Sequence, residues 1–135
     1  MTNCTSRSGE KDAGEKYDSW VWFDSETHAG VRIGIVRVSF GRRIELARRI
    51  REIGRKVEYL EAGNDAKEKL EATVLAAEID RAYLDWGLKG VEGIEIDGVA
   101  ATPARLIDDG PVELAAEILA RIKRECGLTE DERKN

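Results

Sequence analysis

The sequence predicts an α+β fold: an N-terminal β-hairpin, an antiparallel two-helix hairpin, a short second β-hairpin and C-terminal helices. Three observations carry that prediction. Two β-favouring runs, residues 17–23 and 31–40, flank a turn-like stretch. Two long segments then repeat their apolar residues at helical spacing. Asp97–Gly98, between two short apolar runs, is a two-residue hairpin turn signal. A chain of 135 residues suits one domain, expected over residues 17–128.

Residues 1–16 are polar and aperiodic, so they are expected to form a disordered tail. Trp20, Val21, Trp22 and Phe23 make the first strand, and residues 24–30 turn the chain. In the next run Val31, Ile33 and Ile35 share one face, whereas Val36, Val38 and Phe40 share the other. The parity switches beside Gly34, which points to a β-bulge.

Ser39 can cap a helix over about residues 42–62, whose Leu46, Ile50, Ile53, Val57 and Leu60 form one narrow stripe. Gly63 suits the position after its end, and Asn64 or Asp65 can cap the next helix, about residues 65–86. That second helix has two apolar faces. Ala72, Leu75, Ile79, Ala82, Tyr83 and Trp86 lie on one; Ala66, Leu70, Val74, Ala77 and Leu84 lie nearly opposite. A helix apolar on two sides needs cover on two sides: one neighbour is the preceding helix, and a second must come from the domain or from a partner.

Gly87, Gly90 and Gly93 break the helical pattern ahead of the small hairpin at residues 94–100. Thr102–Pro103 opens a short helix, and Gly110–Pro111 ends it and starts another that runs to Cys126. Its stripe is Val112, Ala115, Ile118, Leu119, Ile122 and Cys126, with Gly127 as the stop. Thr129 and Glu132 fit a capping box, so residues 129–135 are expected to form a short helical tail.

Composition narrows the function. There are 22 Lys+Arg against 27 Asp+Glu, a net charge of −5, and 41% of residues are apolar. That supplies a core and argues against a protein built throughout to coat nucleic acid. No apolar run approaches the roughly 20 residues a bilayer span needs, and the N-terminus lacks the apolar stretch of a secretory signal. Two widely spaced cysteines and one histidine leave most catalytic and metal chemistry short of parts, and a reducing cytoplasm is the simplest home.

Four constellations compete with bland explanations. Asp24, Glu26 and His28 alternate as ligands on a strand would, yet they lie where the hairpin must turn, so a solvated turn is the better reading. Cys126 sits on an apolar stripe, where a thiol packs as a small hydrophobe, and no base is near in sequence. The glycines precede a hairpin instead of a helix and form no phosphate loop. The basic run at residues 42–56 holds seven basic and two acidic residues, a net of +5, so the rest of the chain carries −10. Arg48, Arg51 and Arg55 project opposite the apolar stripe. They either bind a polyanion or form a solvated face supported by pairs such as Glu45–Arg49 and Glu52–Lys56.

Several stretches together resemble the tail assembly chaperones of long-tailed bacteriophages. The segment VSFGRRIELARRIRE at 38–52 resembles that family's strand-to-helix passage, and AAEIDRAYLDWGL at 76–88 its helical middle. Residues 91–135, with the IDG turn, the TP-initiated helix, the helix after GP and the closing LTEDERKN, resemble its C-terminal half. The resemblance implies a non-enzymatic protein without cofactor or metal, acting in the cytoplasm of a bacterial host. It implies binding to the tape measure protein, a long helical chain kept soluble while tail-tube subunits assemble around it. Contact with the tail-tube protein and homo-oligomer formation are also expected.

The family carries no catalytic residues onto this chain, so the candidate partner-binding residues rest on surface reasoning. They are Leu75, Ile79, Tyr83 and Trp86 on one face of the second helix, with Arg48, Arg51 and Arg55 on the first. The aromatic members are also natural core residues. The alternative is a small nucleic-acid-binding regulator using the basic helix at 42–56.

Overall fold

A computed structural model describes residues 14–63 and 65–127. The chain runs β1 (Trp20–Asp24), β2 (Arg32–Val36), α1 (Phe40–Glu61), α2 (Ala66–Gly87), β3 (Leu88–Glu92), β4 (Glu95–Ile96), β5 (Val99–Ala100), α3 (Pro103–Asp109) and α4 (Val112–Cys126). This is the α+β class that the alternating periodicities predict. The proposed tail at 1–16 lies outside the described residues up to residue 13, as does the capping box at Thr129 and Glu132.

The first two strands form the expected antiparallel hairpin, and β3 adds a third strand on the far side of β2. That strand differs from the sequence reading, in which Gly87, Gly90 and Gly93 only interrupt a pattern. The glycines do not block pairing: Gly90 lies opposite Gly34 in the β2–β3 ladder. The irregularity foreseen beside Gly34 is present as a register shift between Gly34 and Ile35. The extra residue is Lys89 of β3, so β2 itself stays regular, and Ile35 and Val36 are buried on its two opposite faces.

Caps set the helix starts. Ser39 Oγ accepts the Arg42 N–H at 3.2 Å, Asp65 accepts the Lys67 N–H at 3.0 Å, and Thr102 Oγ1 accepts the Arg105 N–H at 3.2 Å. Gly127 closes α4 in the left-handed region at φ 66°. Asp97 and Gly98 both have positive φ, as a two-residue turn of the mirror-image type requires.

The core lies between the sheet and the helices. Strand β2, with Ile33 and Ile35 fully buried, packs on α2 and α4, and Leu114, Ile118 and Ile122 of α4 are sealed from solvent. Helix α1 packs mainly on α2 through Leu46, Ile50 and Val57. At its C-terminal end α2 is held on several sides. Lys123 of α4 reaches Asp80 at 3.1 Å and lies 5.3 Å from the centre of the Tyr83 ring, while Arg81 reaches Asp108 of α3 at 2.8 Å.

A polar anchor ties the β1–β2 turn to α4. Glu117 accepts hydrogen bonds from Ser25 Oγ at 2.7 Å, Thr27 Oγ1 at 2.8 Å and the Glu26 N–H at 2.7 Å. Buried Ser25 accepts in turn from the N–H groups of Thr27 and His28, a local turn built on a hydroxyl. Burial pushes the Glu117 carboxyl up, but these donors outweigh it and hold its pKa below the ordinary glutamate value.

Candidate protein-binding surface

Helices α1 and α2 have 22 residues each, and the layers beneath them support only part of that length. Near the sheet the pair buries Leu46, Ile50, Ile79, Ala82, Tyr83, Leu84 and Trp86. Toward the connecting turn only Val57 and Ala72 are buried. The turn-proximal part is therefore a two-helix arm carrying apolar residues that nothing described covers.

The two-faced character of α2 resolves along its length. Ala72, Ile79, Ala82, Tyr83 and Trp86 of the first face are buried, and Leu75 is half-buried. On the opposite face Leu84 is buried, but Leu70 is 67% and Val74 53% exposed, with Ala66 and Ala77 also open. Leu84 and Arg81 occupy the end of that face reached by α3, which explains why cover stops there.

This corrects the sequence-derived surface. Ile79, Tyr83 and Trp86 belong to the core and offer no surface; Leu75 alone of that set is partly accessible. The free strip is Leu70 and Val74. The physical reason is size, because turning Tyr83, Trp86 and Ile79 inward removes more apolar area from water than turning alanines, valine and leucine inward. Residue bulk was the available signal; spacing alone treats both faces alike.

Between the helices lies an apolar groove of about 370 Å³, lined by Arg55, Lys56, Tyr59, Leu60, Glu71 and Leu75. Tyr59 stands at its rim, 77% exposed. Arg48 and Arg55 are exposed and Arg51 is half-buried. Among the described residues the side chains of Arg48, Arg49, Arg51, Arg55 and Lys56 make no ion pair or hydrogen bond, and Arg51 Nε is buried without a partner. The local pairs Glu45–Arg49 and Glu52–Lys56 expected from the sequence do not form. The arm thus combines an apolar strip, an apolar groove and uncompensated positive charge.

The other constellations take structural places. Asp24 faces Arg32 at 3.6 Å. His28 Nδ1 lies 2.9 Å from Thr27 Oγ1, whose hydroxyl donates to Glu117, so Nδ1 carries the proton in this contact. Among the described residues no three His, Cys, Asp or Glu side chains gather as metal ligands would. Burial, with a smaller push from Glu125 against a pull from Arg43, raises the Cys126 thiol to about 11, so it stays protonated and unreactive at neutral pH. No described helix is long and apolar enough to cross a membrane.

The fold and surface together define an α+β domain with a projecting helical hairpin. No protein-family model matches the chain, and no curated protein or solved structure matches it either.

Proposed function

We propose that this chain is a non-enzymatic tail assembly chaperone that holds the tape measure protein of a phage or prophage in a soluble state during tail-tube assembly. The observation that carries the reading is the arm of α1 and α2, which leaves Leu70 and Val74 exposed on one side of α2 and the Tyr59–Leu75 groove open between the helices. An amphipathic helical client lays its own apolar stripe against such a surface. Covering one Leu- or Val-sized side chain contributes about 1.5–3 kcal/mol, and association itself costs several kcal/mol, so a short strip gives weak, reversible contact. Weak contact is what a chaperone that must leave before the tail is finished requires. Arg55 and Lys56 in the groove wall, with Arg48 and Arg51 further along α1, favour acidic positions on the client.

Co-expression with the tape measure protein of the same locus tests this. The expected outcome is co-purification and a soluble client, with at least tenfold weaker capture, about 1.4 kcal/mol, by the Leu70→Asp/Val74→Asp variant. A client that stays insoluble and unbound overturns it. The uncompensated arginines also favour a second reading, a nucleic-acid-binding regulator using α1. Binding to duplex DNA that weakens steeply with salt and is lost on changing Arg48, Arg51 and Arg55 to Glu supports that reading; binding without salt dependence removes it.

A further inference from the structure

Among the described residues the sheet leaves one edge, that of β1, without a paired strand. At one end of β1 the Arg37 N–H donates to the Ser19 carbonyl at 2.8 Å, and at the other the Ser25 N–H donates to the Val31 carbonyl at 2.8 Å. Between them Val21 faces Ile35 and Phe23 faces Ile33. Hydrogen-bonded pairs alternate along an antiparallel ladder, so Ser19, Val21, Phe23 and Ser25 aim their backbone groups at β2. Trp20, Trp22 and Asp24 aim theirs outward, and no described residue pairs with them.

Nothing in β1 protects that edge. Residues Trp20–Asp24 include no lysine and no proline, and the β1–β2 ladder has no register shift. The opposite edge, β3, has Lys89 in its interior, α3 packed against it and the register shift in its ladder. The indole rings do not cover the β1 edge either. A Cβ on Gly34 would lie 3.3 Å from the Trp22 ring, and one on Gly90 2.6 Å from Trp22 and 3.4 Å from Trp20. Both rings therefore lie back across β2 toward β3, over a trough made by two facing glycines.

We propose that the β1 edge pairs with the β1 edge of a second copy, antiparallel, about a twofold axis at Trp22. In that register Trp22 exchanges hydrogen bonds with its own counterpart, and Trp20 exchanges them with Asp24 of the other copy. Each outward amide meets a carbonyl. A slip of one residue turns the wrong groups outward, and a slip of two strands Trp20 or Asp24. The carboxylate of Asp24 falls beside an indole, so no like charges meet within the paired span Trp20–Asp24. On the inner face Val21 adjoins Phe23 of the second copy, an aliphatic–aromatic neighbour pair.

The edge is its own complement, so a second copy satisfies every outward backbone group of Trp20, Trp22 and Asp24. Twofold pairing also consumes the edge, so with β3 protected the assembly closes as a dimer. Edge pairing alone makes a small interface, below about 1,000 Å², so the dimer depends on protein concentration. The inference names the surface for the expected self-association and does not depend on the identity of any client.

Hydrogen exchange of the full chain, followed by NMR beside sedimentation, tests it. In protein at about 10 μM the Trp20, Trp22 and Asp24 amides should exchange freely, and at about 1 mM they should slow at least tenfold as dimer forms. Val21 and Phe23 amides should be protected at both concentrations. The variant Asp24→Pro removes one outward donor and should weaken the dimer at least tenfold while Val21 stays protected. A chain that remains monomeric at about 1 mM overturns the proposal. So does a dimer whose three outward amides still exchange freely, or edge protection that appears only on adding a different polypeptide. Should Asp24→Pro unfold, the exchange pattern of the unaltered chain decides alone.

Discussion

Helices α1 and α2 are one hairpin with two different ends. At the base, Leu46 and Ile50 of α1 and Tyr83 of α2 are sealed between neighbouring layers. At the arm, the same two helices bury only Val57 and Ala72 and leave Tyr59, Leu70 and Val74 in water. Both ends have comparable amphipathic sequence. The difference is in the neighbours: β2, α3 and α4 all pack on α2, with contacts at Asp80, Arg81 and Gly87 in its C-terminal half, whereas among the described residues the arm rests mainly on its sister helix. Surface left without a second layer is surface available to another molecule, and its substitution should be nearly free for stability.

That contrast can be broken most sharply at the base. Replacing Ile50 with alanine should destabilise by about 2–5 kcal/mol, because the fully enclosed site leaves a cavity; chemical denaturation with an unchanged slope measures it. Gly87→Ala comes next. A Cβ there would meet Ile122 at 2.8 Å, where α2 ends against α4, and overpacking at such a joint should cost about 1–3 kcal/mol. Loss of less than about 0.5 kcal/mol would mean that the joint gives way readily.

Glu117→Gln should cost about 1–2 kcal/mol at neutral pH, since a charged acceptor of several hydrogen bonds becomes a neutral amide. The pKa of Glu117 is depressed by folding, so its contribution is fully present above the unfolded carboxylate value of about 4.3 and is lost as pH falls through the folded value. Denaturation midpoints of wild type and Gln variant should therefore converge in acid; a gap that stays constant to pH 3 would show that the charge is not what the turn uses. At the arm, Leu70→Ser should change stability by no more than about 0.5 kcal/mol in either direction. A loss as large as that of Ile50→Ala would show that the strip is covered within one chain and would remove the basis of the proposed client contact.

Much of this architecture was readable in the residues. Ser39, Asp65 and Thr102 announced helix starts because caps depend on groups within a few positions. Asp97–Gly98 specified its turn through local backbone preference. The change of parity at Ile35–Val36 pointed to an irregularity beside Gly34; a register shift occurs there, but its extra residue is Lys89 of the partner strand. What escaped was relational. Leu88–Glu92 did not read as a strand, because Gly90 has no side chain to show alternation and pairs only because Gly34 and the Trp22 ring receive it. The Glu117 anchor joins residues about ninety positions apart and leaves no trace in local pattern. The choice between the two faces of α2 was also out of reach of periodicity, which gives directions around a helix axis but not what stands in each direction.

Local chemistry set where most helices and turns begin, that α2 is greasy on two sides, and that α1 carries a dense positive charge. All of these are set by short-range sterics, capping and composition. Long-range packing alone puts Tyr83 and Trp86 inside and Leu70 and Val74 outside, and leaves the β1 edge unpaired among the described residues while α3 packs on β3. Those outcomes depend on how far each layer extends across its neighbour, a length that long-range packing sets.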